Sequence, residues 1–255
     1  MRGHVLALCD CSWAHSNRYI ATSSDDGTVK VWCVEDGRCL HSLYGHTGPV
    51  LCCDFNQNDT LIASASCDES IRLWDTSSGY CVSVLPAHSD PVTTVQFSSD
   101  STMLLSASYD GNCRLWDITS NSCLKTVNFG APVGYARFTK NLLHIVISTL
   151  CGSVYMLDSK LERIRHCTSF REQGSADRQP LYANHQDGMV IAGSREGLLW
   201  IWDFRRRATI PLRVCTATEV AGNLRNLAAY NFRNETLVTC SYILNELNIW
   251  RLRLE

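Results

Sequence analysis

Hydrophobic residues along this chain come in short runs of five or six, and polar clusters separate them at regular distances. An apolar run from Val50 to Phe55 gives way to the polar stretch NQND. A second run, Leu61 to Ser66, ends at Asp68; a third covers Ser70 to Trp74; TSSGYCVSVL then supplies a turn and a fourth. Runs of this length, bounded by Gly, Asn, Asp and Ser, read as β-strands joined by hairpin turns. No long stretch carries the 3.6-residue period of an amphipathic helix. The pattern predicts an all-β chain.

The same grammar recurs. Trp32, Trp74 and Trp116 are 42 residues apart, and so are Asp26, Asp68 and Asp110, and His4, His46 and His88. Later units are less regular: the fourth has Cys151 for the turn Asp and Leu157 for Trp, the fifth regains Trp202 and Asp203, and the sixth ends on Trp250. Six repeats are expected in one domain over 1–255, at about 3–44, 45–86, 87–128, 129–168, 169–214 and 215–255. Such units bury a common core only by stacking on their neighbours. The polar segment SFREQGSADRQP, 169–180, reads as an enlarged surface loop.

Composition narrows the function classes. Apolar residues make up 45%, enough for a large core, and the net charge of -2 leaves no electrostatic footprint for nucleic acid. The cluster Arg205, Arg206, Arg207 reads as a solvated turn. No apolar run reaches the eighteen or so residues of a membrane helix, and the first sixteen residues, broken by Asp10, do not make a signal peptide. Of 14 cysteines, several lie in apolar runs, such as Cys52, Cys53, Cys113 and Cys240, while Cys81 and Cys123 align with Cys39 and Cys167. No CxxC pair occurs and no histidines are spaced for zinc. The expectation is buried, reduced thiols in a soluble intracellular protein, with no metal and no cofactor.

The repeated His, Ser and Asp are the residue types of a hydrolase triad. They occur three times at one period, however, without a Gly-x-Ser-x-Gly elbow, a Walker loop or a GxGxxG segment. A structural network is the expected role, and no enzyme is expected.

A period near 42 marked by Gly-His and Trp-Asp resembles the WD-repeat family. The resemblance implies a β-propeller of four-stranded blades around a central channel. It also implies a buried hydrogen-bond chain in each regular blade: His4, Thr22, Asp26 and Trp32; His46, Ser64, Asp68 and Trp74; His88, Ser106, Asp110 and Trp116.

Between the motifs, CDESIRLWD, LPAHSDPV, SYDGNCRLWD and CLKT are similar to the WD-repeat core subunits of trithorax/COMPASS-type histone methyltransferase complexes, which modify lysine 4 of histone three. The similarity is densest from Gly45 to Thr126. It implies a non-catalytic nuclear scaffold whose partners are methyltransferase-complex subunits and histone tails, with no direct nucleic-acid or membrane contact. It further implies a channel-mouth pocket that holds a partner's arginine between two aromatic rings. One ring position matches Tyr182; the other matches Leu51, which is not aromatic. Rim positions match Asp25, Tyr109 and Cys67, the last in place of an aromatic residue, and small channel positions match Cys9, Thr93 and Gly134. A second face matches Asn141, with His144 replacing a tyrosine. The alternative is a diverged cytoplasmic adaptor for ubiquitin-ligase substrate recruitment or RNA processing. The family has seven blades and the first unit here aligns with its second, so the expectation lies between a six-bladed ring and an open, truncated product of a seven-bladed ancestor.

Overall fold

The computed structural model describes residues 3–139, 144–151, 153–158 and 161–167, and beyond them the strands at 184–186, 189–193, 199–203, 212–214, 227–231, 236–241 and 246–251. Side chains are described as far as residue 162. Tyr182, Asn141, Arg205 to Arg207 and the 169–180 segment lie outside the described residues.

Every regular element among the described residues is a β-strand. The first sheet runs β1 (Leu8–Trp13), β2 (Tyr19–Ser24), β3 (Val29–Cys33) and β4 (Cys39–Leu43), antiparallel and in chain order. The second runs β5 (Val50–Phe55), β6 (Leu61–Ser66), β7 (Ser70–Asp75) and β8 (Cys81–Pro86). The third runs β9 (Val92–Phe97), β10 (Met103–Ser108), β11 (Asn112–Asp117) and β12 (Ser122–Asn128). Together with β13 (Val133–Phe138), they lie in one compact unit, Met1–Phe138. The predicted strands of the second repeat match β5 and β6 end to end, and β7 extends one residue further.

A second compact unit, Thr139–Glu255, holds β14 (His144–Thr149), β15 (Val154–Asp158) and β16 (Arg163–Cys167), paired antiparallel in that order. It continues with a four-stranded sheet of β17 (Asn184–Gln186), β18 (Met189–Gly193), β19 (Leu199–Asp203) and β20 (Leu212–Val214). Strands β21 (Leu227–Asn231), β22 (Thr236–Ser241) and β23 (Glu246–Arg251) form a three-stranded sheet. This is the all-β, repeated-sheet architecture of a WD40 β-propeller.

In the first unit the opening strands stand side by side, β1 against β5 and β5 against β9, with β13 on β9 and β10. The core therefore lies between neighbouring sheets. One cluster joins the first two blades through Val29, Val31, Val50, Cys53, Phe55, Ile62 and Trp74. Another joins the second and third through Cys52, Ala63, Ile71, Leu73, Val95, Phe97 and Trp116. Adjacent residues of one strand, such as Cys52 and Cys53 or Leu73 and Trp74, thus face opposite clusters. A sheet buried on both faces needs apolar residues on both, so its strands are apolar runs rather than clean alternations. Burial fades outward: β6 is almost wholly buried, whereas β8 exposes Val82 and Val84.

The turn between β5 and β6 shows why NQND stops a strand. Asn56 Oδ1 accepts the N–H groups of Thr60 and Leu61 at 2.8 and 3.0 Å, and Asp59 takes φ 57°. Asn and Asp tolerate this left-handed conformation better than other non-glycine residues and can bond the backbone locally.

Candidate functional site

The three networks form with one geometry. His Nδ1 lies 2.8, 2.8 and 2.9 Å from Asp Oδ2 in the pairs His4–Asp26, His46–Asp68 and His88–Asp110. His Nε2 lies 2.8, 2.7 and 2.8 Å from the hydroxyls of Thr22, Ser64 and Ser106. The indole Nε1–H of Trp32, Trp74 or Trp116 donates to that same hydroxyl oxygen at 2.8, 2.8 and 2.9 Å.

Donor accounting assigns the protons. Each indole can only donate to the hydroxyl oxygen; the hydroxyl then donates to Nε2, and Nδ1–H donates to the carboxylate. A neutral imidazole closes this chain. Burial holds His46 and His88 below the ordinary histidine range, although their aspartates pull the other way. Burial alone would raise the carboxyls, but their donors prevail. Hydrogen bonds from Ser70, the Thr47 N–H and His46 bring Asp68 down to about 2, and Asp26 and Asp110 are lowered in the same way.

Ser64 and Ser106 are fully buried, so no substrate carbonyl can reach the hydroxyl a hydrolase would need as its nucleophile. The network instead gives each buried polar group a partner, which avoids the cost of desolvating it unpaired.

Sequence reasoning missed several members. Thr28 Oγ1 and Ser70 Oγ donate to Asp26 and Asp68 Oδ1 at 2.5 and 2.6 Å, and the Asn112 N–H donates to Asp110 Oδ1 at 2.8 Å. Ser24, Ser66 and Ser108 each accept the backbone N–H of the network aspartate at 3.1 Å. Their hydroxyls reach back to carbonyls of Leu6, Pro49 and Asp90. The signal was present, since these serines keep the same 42-residue period.

The network holds a turn, and the turn holds the rim. Asp25, Cys67 and Tyr109 each stand directly before a network aspartate. Their backbone N–H groups donate to Ala7, Pro49 and Pro91 carbonyls at 3.0, 2.9 and 3.1 Å. Asp25 is exposed and accepts the Cys9 thiol at 3.2 Å, Cys67 is half-buried, and the Tyr109 side chain reaches solvent at 39% exposure. Leu51 and Gly134 are half-buried, and His144 is half-buried on β14. Thr93 is buried, its Oγ1 bridging the carbonyls of Ala107 and Val133 at 3.1 and 2.9 Å, so its hydroxyl is already engaged within the fold.

The cysteines correct one expectation. Among the described residues Cys52, Cys53 and Cys113 are buried, but Cys9, Cys11, Cys39, Cys81, Cys123 and Cys151 are exposed. The periodic three sit on the outermost strands β4, β8 and β12, opposite Trp32, Trp74 and Trp116. No further sheet covers these positions within the unit, and each thiol donates to the carbonyl two residues on. The cysteines whose side chains are described, from Cys9 to Cys151, are free thiols, and among the described residues no group of three or more His, Cys, Asp or Glu is placed to hold a metal ion.

This repeated blade network is the one expected of WD repeats, which occur in proteins that generally serve as non-catalytic platforms for protein interaction. Residues 1–33, 37–75 and 79–117 match the family model described as WD domain, G-beta repeat. Short stretches are similar to curated proteins. One is 42% identical over 50 residues to F-box/WD repeat-containing protein sel-10 of Caenorhabditis elegans, covering 20% of this chain and 8% of that protein. Another is 46% identical over 48 residues to guanine nucleotide-binding protein subunit beta-5b of Danio rerio, covering 19% and 12%. A third is 44% identical over 50 residues to F-box/WD repeat-containing protein 7 of Drosophila melanogaster, covering 20% and 4%. The matched stretches thus span at most about an eighth of these relatives.

Proposed function

We propose that this WD-repeat chain binds partner proteins through the blade ends marked by Asp25, Cys67 and Tyr109. The carrying observation is their common anchoring: each has its backbone N–H tied at about 3 Å and is followed by a network aspartate. A turn ordered before binding presents its side chain at little further entropic cost. The three positions differ in chemistry while their backbones repeat, as expected of a recognition surface on a fixed scaffold.

The finer reading follows the resemblance to the core subunits of histone methyltransferase complexes. The partners are then methyltransferase-complex subunits and an arginine-centred histone tail, in the nucleus. Asp25 supplies a carboxylate to the arginine, and Tyr109 and Tyr182 supply aromatic surface. Leu51 in place of a ring removes one face of the guanidinium sandwich, at a cost of about 0.5–2 kcal/mol. Titration with an arginine-centred histone-tail peptide tests this: saturable binding weakened by Tyr109→Ala and Tyr182→Ala is expected, and the absence of saturable binding sinks it.

A second reading is a cytoplasmic adaptor that recruits substrates for ubiquitination or assembles RNA-processing factors. Leu51 and Cys67, both non-aromatic, favour it, as does the local similarity to two F-box/WD repeat-containing proteins. Affinity purification from native cells separates the readings, because recovery of no methyltransferase-complex subunit removes the first.

A further inference from the structure

A half-buried carboxylate on the opening strands takes no part in the blade networks. Asp54 lies on β5, which packs between β1 and β9. Its Oδ1 is 3.1 Å from Ser12 Oγ on β1, and its Oδ2 accepts the Phe97 N–H on β9 at 2.9 Å. One carboxyl group thus bridges three successive blades. At the equivalent position 42 residues on stands Gln96, whose Oε1 accepts the Phe138 N–H at 2.7 Å. A neutral amide carbonyl does at that junction what Asp54 Oδ2 does at the preceding one.

The ionisable groups around Asp54 are few. Asp10 and Cys11 come from β1, Cys52 and Cys53 from β5 itself, and Arg137 from β13. The other strands packed on β5 add little: β6 and β9 carry no ionisable side chain, and β2 carries only Tyr19. Asp10 is engaged with the Cys53 N–H at 3.3 Å. Burial outweighs the attraction of Arg137 and the hydrogen bonds from Phe97 and Ser12, and pushes the Asp54 carboxyl up to about 6.

The two partners respond differently to a proton. A backbone N–H can only donate, whereas a hydroxyl can donate or accept. A proton on Oδ1 therefore donates to Ser12 Oγ, while Oδ2 continues to accept from Phe97. Both bonds survive, and the half-buried charge disappears.

We infer that Asp54 is a protonatable clasp across the first three blades, closed in both states and tighter when neutral, so that mild acidification strengthens their docking. For an acid whose folded value lies above the unfolded 3.8, the folded state holds the proton first as pH falls. The contribution is greatest below about pH 4 and is lost as pH rises through about 6. His46 and His88 act in the opposite sense, because burial lowers them and the unfolded chain takes up their protons first on acidification. The informative quantity is therefore a difference between two proteins.

The test is urea unfolding of the full chain between pH 5 and pH 8, wild type against Asp54→Asn. The asparagine amide can donate to Ser12 and its carbonyl can accept from Phe97, as Gln96 does from Phe138. The variant is expected to fold and to exceed the wild type at pH 8. The folded-to-unfolded ratio of the wild type relative to the variant should fall about tenfold from pH 5 to pH 8. A carboxyl carbon-13 titration of Asp54 in the wild type should show a midpoint near the raised value of about 6. An Asp54→Asn chain that fails to fold, a pH slope shared by both proteins, or a midpoint near an ordinary aspartate value would overturn the inference.

Discussion

His88 Nδ1 lies 2.9 Å from Asp110 Oδ2, with the imidazole fully buried and the carboxylate side chain only 4% exposed. The same carboxylate accepts the N–H groups of Ser89 and Asn112 at 3.3 and 2.8 Å. Removing it strands the buried His88 donor and takes the acceptor from the Ser89 and Asn112 N–H groups. Asp110→Ala should destabilise the chain by about 2–4 kcal/mol. Ser106→Ala leaves the Trp116 indole N–H and His88 Nε2 unpaired and should cost about 1–3 kcal/mol. Chemical-denaturation midpoints check both, and an unchanged midpoint in Asp110→Ala contradicts the structural role.

The lowered carboxyls set an acid limit. Asp68 titrates near 2 in the folded protein against 3.8 as the ordinary value, so the unfolded chain takes its proton first as pH falls. Its contribution is full above about pH 4 and is lost between about pH 4 and pH 2. Asp26 and Asp110 are shifted in the same direction. Asp68→Asn should flatten the fall in unfolding midpoint across that window relative to the wild type.

Glu69 occupies the turn position held by Gly27 and Gly111 in the neighbouring blades, and it does so at φ 69°. A left-handed conformation costs a residue with a Cβ about 1–2 kcal/mol, and glycine avoids this at an entropic cost in the unfolded chain. The Glu69 side chain is exposed, and the hydrogen bond from His88 N–H goes to its backbone carbonyl. Glu69→Gly should therefore raise stability by about 0.5–1 kcal/mol, readable as a higher thermal midpoint.

Tyr109 separates recognition from folding. Its backbone is anchored while its side chain reaches solvent. Tyr109→Ala should leave stability within about 0.5 kcal/mol of the wild type. Partner binding should weaken by about 1–2 kcal/mol, the range of an aromatic contact at an interface. Parallel melting and binding curves check the pair of outcomes; a large loss of stability with unchanged binding would make Tyr109 a structural residue.

The strands of the second repeat could be read in the sequence, and the 42-residue period together with the family resemblance picked out the His, Ser or Thr, Asp and Trp of all three networks, because such a period forces equivalent residues into equivalent places. Ser24, Ser66 and Ser108 kept that period and were still missed, since serine is common in strands and turns and its role depends on which backbone groups it meets. The cysteines misled for a related reason. Cys81 lies in an apolar run, yet β8 is the outermost strand of its sheet, and local sequence does not say which strand of four lacks a neighbour.

Residue identity at a fixed spacing by itself determined the all-β repeat and the turns, and the resemblance to the WD-repeat family implied the His–Ser–Asp–Trp partnerships, whose contacts lie within one repeat. Contacts between repeats were decided only by tertiary structure. Asp54 is an ordinary polar residue in a strand until β1 and β9 close on it from either side, bringing Ser12 and Phe97 to its two oxygens and displacing part of the water that would keep its carboxyl acidic. Desolvation and long-range donors act through space, and no spacing along the chain encodes them.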